Sequence, residues 1–394
     1  MNPEELKRNI IEEAKNLANY VIEMRRKIHM NPETAFEEEE TAKLIEEELH
    51  KMGYETQRVA GTGVVAVLMG KEDGKTVALR ADIDALNIQE ENDVPYKSKN
   101  PGKMHACGHD AHTASLLGAA KILQKYRDQI KGKIKLIFQP AEEGGGGGKQ
   151  IVDAGVLDDV DYVFGMHVWK EQQAGKIGTR KGPMLASADA FKITIKGKGG
   201  HAASPYEAID STAVVADIYN ALQKLITREI KPFESVILTI PMLQGSDAFN
   251  VIPNETVMKG TLRTFNPEVR NYIITRIEEV VDGFSKAWRC EGKFELEGVS
   301  YPPLINNPEI VESLQLLFEE LGGVEEIEPS MGGEDFAFYL QKTKGAFVTL
   351  GIYNEEKGII FDHHHPGFNV DEEILWKGAA IYALLGFYPL LSKK

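Results

Sequence analysis

Six of the ten histidines sit in two short stretches, Met104-His105-Ala106-Cys107-Gly108-His109-Asp110-Ala111-His112 and Asp362-His363-His364-His365-Pro366. Thiol, imidazole and carboxylate gathered this densely are the donor types of a transition-metal site. Cys107 and His109 are two apart, so an extended segment places both side chains on one side. A helix is expected to start near Asp110, whose carboxylate can cap it. His105 and His112 are weaker candidates, and His112 falls about one turn into that helix.

A second chemical element is Phe138-Gln139-Pro140-Ala141-Glu142-Glu143, at the end of an apolar strand. Two adjacent carboxylates at a sheet edge can divide labour. One ligates metal, while the other stays unligated and takes a proton from metal-bound water. A solvated acidic turn is the plain alternative. The run Gly144 to Gly148 frees the backbone so that both carboxylates can turn inward. It is not a Walker phosphate loop. Glu143 stands where the first glycine of that pattern belongs, and Gln150 where Ser or Thr belongs. His167 closes another strand, and Asp82 and Asp84 follow a strand ending at Arg80. Asp82 can hold the outer nitrogen of a metal-bound imidazole. His201, within Gly199-Gly200-His201-Ala202-Ala203, can act as an electrophile in a cleft; a surface-turn histidine is the alternative.

These residues need a scaffold. Glu4 to His29 has helical period, and a second helix is expected from about Glu37 to Met52. Strands at 63–69 and 76–80, both rich in valine, and at 133–138 and 161–166 alternate with a helix at about 110–125, the grammar of an α/β layered domain. From about Leu185 the pattern changes to strand, helix, two strands, helix, strand. This β-α-β-β-α-β order is that of a ferredoxin-like unit. The remainder returns to α/β style, with helices near 308–321 and 371–385 and a strand at 345–350. The economical reading is one α/β domain, residues 1–184 and 300–394, interrupted by a smaller domain at 185–299.

Composition narrows the partners. Among 394 residues, 45 Lys plus Arg against 60 Asp plus Glu leave a formal charge of −15, which repels nucleic acid and anionic lipid. The longest apolar run, Ala379 to Leu391, is shorter than the roughly 20 residues a spanning helix needs. Two cysteines, Cys107 and Cys290, make no disulfide scaffold, and no secretory signal is read at the N-terminus, so a cytoplasmic home is expected.

Ten segments in order then resemble a known family across nearly the whole chain. They are Arg25-Lys27-His29-Pro32-Glu33, Leu79 to Leu86, Met104 to His112, Phe138 to Glu143, Gly165-Met166-His167, Gly199-Gly200-His201, Asn250-Val251-Ile252-Pro253, Gly260-Thr261-Leu262-Arg263, Gly332-Gly333-Glu334-Asp335-Phe336 and His364-His365-Pro366-Gly367-Phe368. The pattern resembles the metal-dependent aminoacylase and carboxypeptidase family, in the branch of N-acyl-amino-acid amidohydrolases, hippurate hydrolases and auxin-conjugate hydrolases. The resemblance implies a di-metal α/β catalytic domain with an inserted ferredoxin-like lid that dimerises, and two divalent ions, zinc, manganese or cobalt. It implies Cys107, His109, Glu143, His167 and His364 as ligands, with His363 and His365 as neighbours that compete for the last role. Glu142 is then the general base toward a metal-bridging hydroxide, and Asp82 orients a ligand. His201 and Asn250 hold the oxyanion across a homodimer, or a dimer-based tetramer. Arg263 takes the substrate carboxylate, and Gly333 approaches the substrate with its backbone. The implied substrates are N-acyl amino acids, or alternatively short peptides cut by carboxypeptidase or dipeptidase action. Other branches of the family carry His-x-Asp where this chain has Arg80-Ala81-Asp82, so Cys107 replaces a lost ligand.

Overall fold

The apolar runs become the middle of an eight-stranded mixed sheet. In the computed structural model, which describes residues 1–392, the strands follow the order Thr56–Val59, Gly63–Met69, Lys131–Gln139, Glu72–Asp82, Tyr162–Gln173, Lys344–Tyr353, Ile177–Thr179, Glu325–Glu326. The four central strands run parallel. Ligands of open parallel sheets gather at the carboxyl ends of the strands. Here those ends carry Asp82 and Gln139, paired in register, and the strand Tyr162–Gln173 carries His167 opposite Thr349.

Helix His109–Lys125 is buried around nearly its whole circumference, which explains its alanine- and glycine-rich sequence. Gly118 lies against Val21 and Ala379, so neighbouring helices approach closely. The expected N-terminal helix is divided at Leu17 into Pro3–Asn16 and Ala18–His29. The Leu17 amide is shared between the carbonyls of Glu13 and Ala14, and the apolar stripe resumes at Val21 and Met24. The first unit comprises Met1–Gly182, Ile305–Glu328 and Asp335–Lys394.

The second unit comprises Pro183–Leu304 and the short return Pro329–Glu334. Its four antiparallel strands are ordered Val236–Gln244, Glu255–Thr264, Ala188–Lys196, Glu291–Tyr301. By chain order this is 2-3-1-4, the ferredoxin-like arrangement expected from the sequence. Phe191, Ile193 and Ile195 alternate inward and share one core with Ile218 and Leu222 of helix Ser211–Glu229 and Ile273 and Ile277 of helix Pro267–Ala287. Asp210 and Asn266 cap these helices by accepting from the first-turn amides.

Candidate metal centre

The Cys107 segment is not extended. Gly108 adopts φ 91°, and a Cβ there would lie 2.3 Å from Val168 Cγ2, so only glycine fits. The helix then begins at His109, one residue earlier than expected. Asp110 does not cap it in the expected way. Instead Asp110 is buried and accepts from Arg25 Nε at 2.8 Å and from His29 Nδ1 at 2.7 Å, anchoring the helix start to Ala18–His29.

Two three-residue donor groups form around this turn. Cys107, His109 and His167 make one; Cys107, Glu143 and His364 make the other, with ligand atoms in each group within 4.8 Å of one another. Cys107 belongs to both. Its sulfur lies 3.4 Å from His167 Nε2, while Glu143 Oε1 lies 3.1 Å from His364 Nε2 and 3.9 Å from His109 Nε2. The tautomers suit ligation. His167 Nδ1 donates to Val168 O at 2.6 Å, and His109 Nδ1 donates to Asp84 Oδ1 at 3.1 Å, so each ring turns its Nε2 toward the cluster. His109 Nε2 is buried and has no hydrogen-bond partner among the described residues, as a nitrogen awaiting a metal would be.

The C-terminal histidines separate by their surroundings. His364 has φ 65°, and its amide donates to Ala106 O at 2.8 Å, which ties its backbone to the Cys107 segment. His363 is instead packed among His167, Trp169 and Phe368. His365 stacks on Phe361 and accepts from the Gly367 amide.

His112 is brought to the site but has no nitrogen to give. Its Nδ1 donates to Asp82 Oδ1 at 2.5 Å, and its Nε2 accepts from the Val168 amide at 2.8 Å. Asp82 therefore acts through His112 on the backbone of Val168, whose carbonyl in turn holds His167. The carboxylate that directly orients a candidate ligand is Asp84, which also accepts from the Glu143 amide at 3.0 Å. The sequence singled out Asp84 without giving it a role. Its signal was position, since it is two residues beyond Asp82 at the end of a central strand. Arg80, fully buried, clamps Asp82 and Asp335, each at 2.8 Å.

Charge completes the fit. Burial disfavours a charged His109, yet Asp82, Asp84 and Glu143 outweigh it and push the imidazole up to about 10. Burial, Glu143 and Glu142 hold the Cys107 thiol well above its ordinary value. Burial, with the neighbouring His112 and His363, holds His167 well below its ordinary value. The protons held on His109 and Cys107 mark an acid-rich cluster short of positive charge. Divalent cations would supply it and displace the protons. Glu142, nearly buried, belongs with His109 and Glu143 in a further group, and its Oε1 accepts from the Asp335 amide at 3.4 Å.

The second unit gathers the remaining candidates in two pairs. His201 is exposed on a short antiparallel pair with Val251, its Nδ1 accepts from the Ala203 amide, and the Ala202 amide donates to Asn250 O. Arg263 Nε donates to Thr261 Oγ1, and a Cβ on Gly333 would come within 3.2 Å of the Arg263 guanidinium.

A thiol, imidazoles and paired carboxylates gathered at the strand ends of an α/β sheet are the setting of a metal-dependent hydrolase. Residues 78–386 match the model of peptidase family M20/M25/M40, and the chain belongs to that family. It is 43% identical over 379 residues to thermostable carboxypeptidase 2 of Saccharolobus solfataricus, covering 95% of this chain and 96% of that one. It is 42% identical to IAA-amino acid hydrolase ILR1-like 4 of Arabidopsis thaliana, covering 95% and 87%. The crystal structure of the Bacillus subtilis YXEP protein, described as a dinuclear metal binding peptidase from the M20 family, aligns with a TM-score of 0.83 at 37% identity, covering 96% of this chain and 100% of that one. The protein is thus a metal-dependent amidohydrolase or peptidase. Among the described residues no helix is long and apolar enough to cross a membrane.

Proposed function

We propose that this protein hydrolyses the amide bond of N-acyl amino acids, releasing a carboxylic acid and a free amino acid. The observation that carries this reading is the pair of donor groups sharing Cys107, with Glu142 beside them. Cys107, His109 and His167 would hold one divalent ion, and Cys107, Glu143 and His364 the other, with zinc, manganese or cobalt as the metals. When bound, the metals supply an acidified water and an electrophile for the amide carbonyl. Glu142 takes the proton from the attacking water and delivers it to the leaving nitrogen. His201 and Asn250 hold the carbonyl oxygen as it gains charge, from the partner chain of a homodimer built through the second unit. Arg263 receives the α-carboxylate with its planar fork, beside the open backbone of Gly333. A reducing, cytoplasmic compartment suits two unpaired cysteines, one of them a ligand.

A second reading is carboxypeptidase or dipeptidase action on short peptides, favoured by the likeness to the archaeal carboxypeptidase. Rates on N-acetyl amino acids, N-benzoyl amino acids and dipeptides separate the two. Glu142→Gln is expected to keep its metals, by elemental analysis, and to lose turnover by about 10²- to 10⁴-fold. Retained turnover in that variant sinks the assignment.

A further inference from the structure

The turn that carries Glu142 is not self-supporting. Ala141, immediately before Glu142, has φ 53°, a left-handed conformation that residues with a Cβ rarely adopt. Its amide donates at 3.0 Å to Glu38 Oε1, a carboxyl 103 positions earlier in the chain. Glu38 is completely buried, and its other oxygen accepts from Thr62 Oγ1. Its place in the sequence makes this unusual. Glu38 is the residue before helix Glu39–Lys51, where a polar side chain normally caps the helix. It does not do so. The first-turn amides of Glu40 and Thr41 are taken by Glu33 instead, at 3.1 and 2.8 Å. The Glu38 carboxyl is thereby released from its own helix and aimed at the Ala141 peptide. Downstream the turn is closed by Gly147 N to Ala141 O at 3.1 Å, and a Cβ on Gly145 would lie 2.6 Å from Ala141 Cβ.

We propose that Glu38 is a positioning residue for the general base: its buried carboxyl locks the Ala141 peptide in its left-handed conformation and so aims Glu142 at the attacking water. The proposal rests on the reading of Glu142 as that base. Burial pushes the Glu38 carboxyl up to about 7, against the hydrogen bonds from Thr62 and Ala141. Among the described residues no Lys, Arg or His is a hydrogen-bond or ion-pair partner of Glu38, so the carboxyl accepts hydrogen bonds and does not pair a charge.

The test compares metal-loaded Glu38→Ala and Glu38→Gln with the parent protein on an N-acyl amino acid. Glu38→Gln keeps an oxygen for the Ala141 amide; Glu38→Ala does not. Glu38→Ala is expected to lower kcat on the order of 10²-fold, with KM and bound metal unchanged. Glu38→Gln should recover most of that loss. Hydrogen exchange of the amides of residues 141–147, read by mass spectrometry on metal-free protein, should accelerate in Glu38→Ala and not in Glu38→Gln. Unchanged exchange in Glu38→Ala overturns the proposal whatever the activity. Faster exchange with unchanged kcat also overturns it when Glu142→Gln is inactive. If Glu142→Gln is itself active, the general-base reading has failed, and the exchange result still reports whether Glu38 holds the turn. An equal loss of kcat in Glu38→Gln assigns the effect to charge and overturns the positioning role. Should Glu38→Ala fail to fold, Thr62→Val removes one support of the carboxyl and should move both readouts in the same direction by less. No movement in either overturns the proposal.

Discussion

The two units treat their chemical residues in opposite ways. In the first, Cys107, His109 and His167 are buried, and three donors are held at a second point: His109 by Asp84, His167 by the Val168 carbonyl, and the backbone of the exposed His364 by Ala106. In the second, His201 is exposed and its ring is held by one amide, while Arg263 is half-buried with one side-chain acceptor. Metal ligation needs fixed distances, and the first unit fixes the residues proposed as ligands accordingly. Groups proposed to meet a substrate must stay open to it, and the second unit leaves them so.

That contrast can be broken experimentally. Cys107→Ala should have the largest effect, because Cys107 serves both donor groups. Elemental analysis should show both metals lost or greatly weakened, whereas His364→Ala should weaken one. Equal loss in the two variants would break the reading of Cys107 as the shared ligand. His201→Ala comes next. It should lower kcat by about 10²- to 10³-fold while leaving metal content and melting temperature as they were. Full activity would detach the second unit from the chemistry. Arg263→Lys should raise KM by roughly tenfold with little change in kcat, because a point charge replaces the bidentate fork. A fall in kcat alone would place Arg263 elsewhere in the reaction.

The smallest effect concerns stability in the first unit. Burial and the Arg25 guanidinium disfavour a charged His29, but Asp110 and Glu90, on its two nitrogens at 2.7 and 3.1 Å, outweigh them and raise it above its ordinary value. A raised folded value means the stabilisation is complete below about 6.5, the unfolded value, and fades as pH rises through the folded one. The melting temperature of the parent protein should therefore fall faster than that of His29→Gln as pH is raised above neutrality. Parallel curves would show that His29 carries no charge there.

Much of this was legible in the chain. Hydrophobic period marked the long helices and central strands, and the change of grammar near Leu185 marked the ferredoxin-like order. Residue type and adjacency marked Cys107, His109, Glu142, Glu143 and His167. Three things were not legible, for one reason. That Asp84, not Asp82, orients His109, that His112 spends both nitrogens on second partners, and that Asp110 serves Arg25 and His29 are all settled by contacts distant in sequence. The Gly144–Gly148 run looked like loop freedom. Its later part is a close-packed helix start, where a Cβ on Gly147 would fall 1.7 Å from Pro140 O.

By itself, then, the sequence determined which chemistry the protein could hold, because donor types and local spacing are properties of the chain. Only tertiary structure decided which nitrogen of each imidazole faces the cluster, which of three adjacent histidines meets Glu143, and which buried carboxyl steadies the turn of Glu142. Apart from the His167 ring, which the carbonyl of the next residue holds, those choices are made by hydrogen bonds between residues far apart in the chain, and no local pattern encodes them.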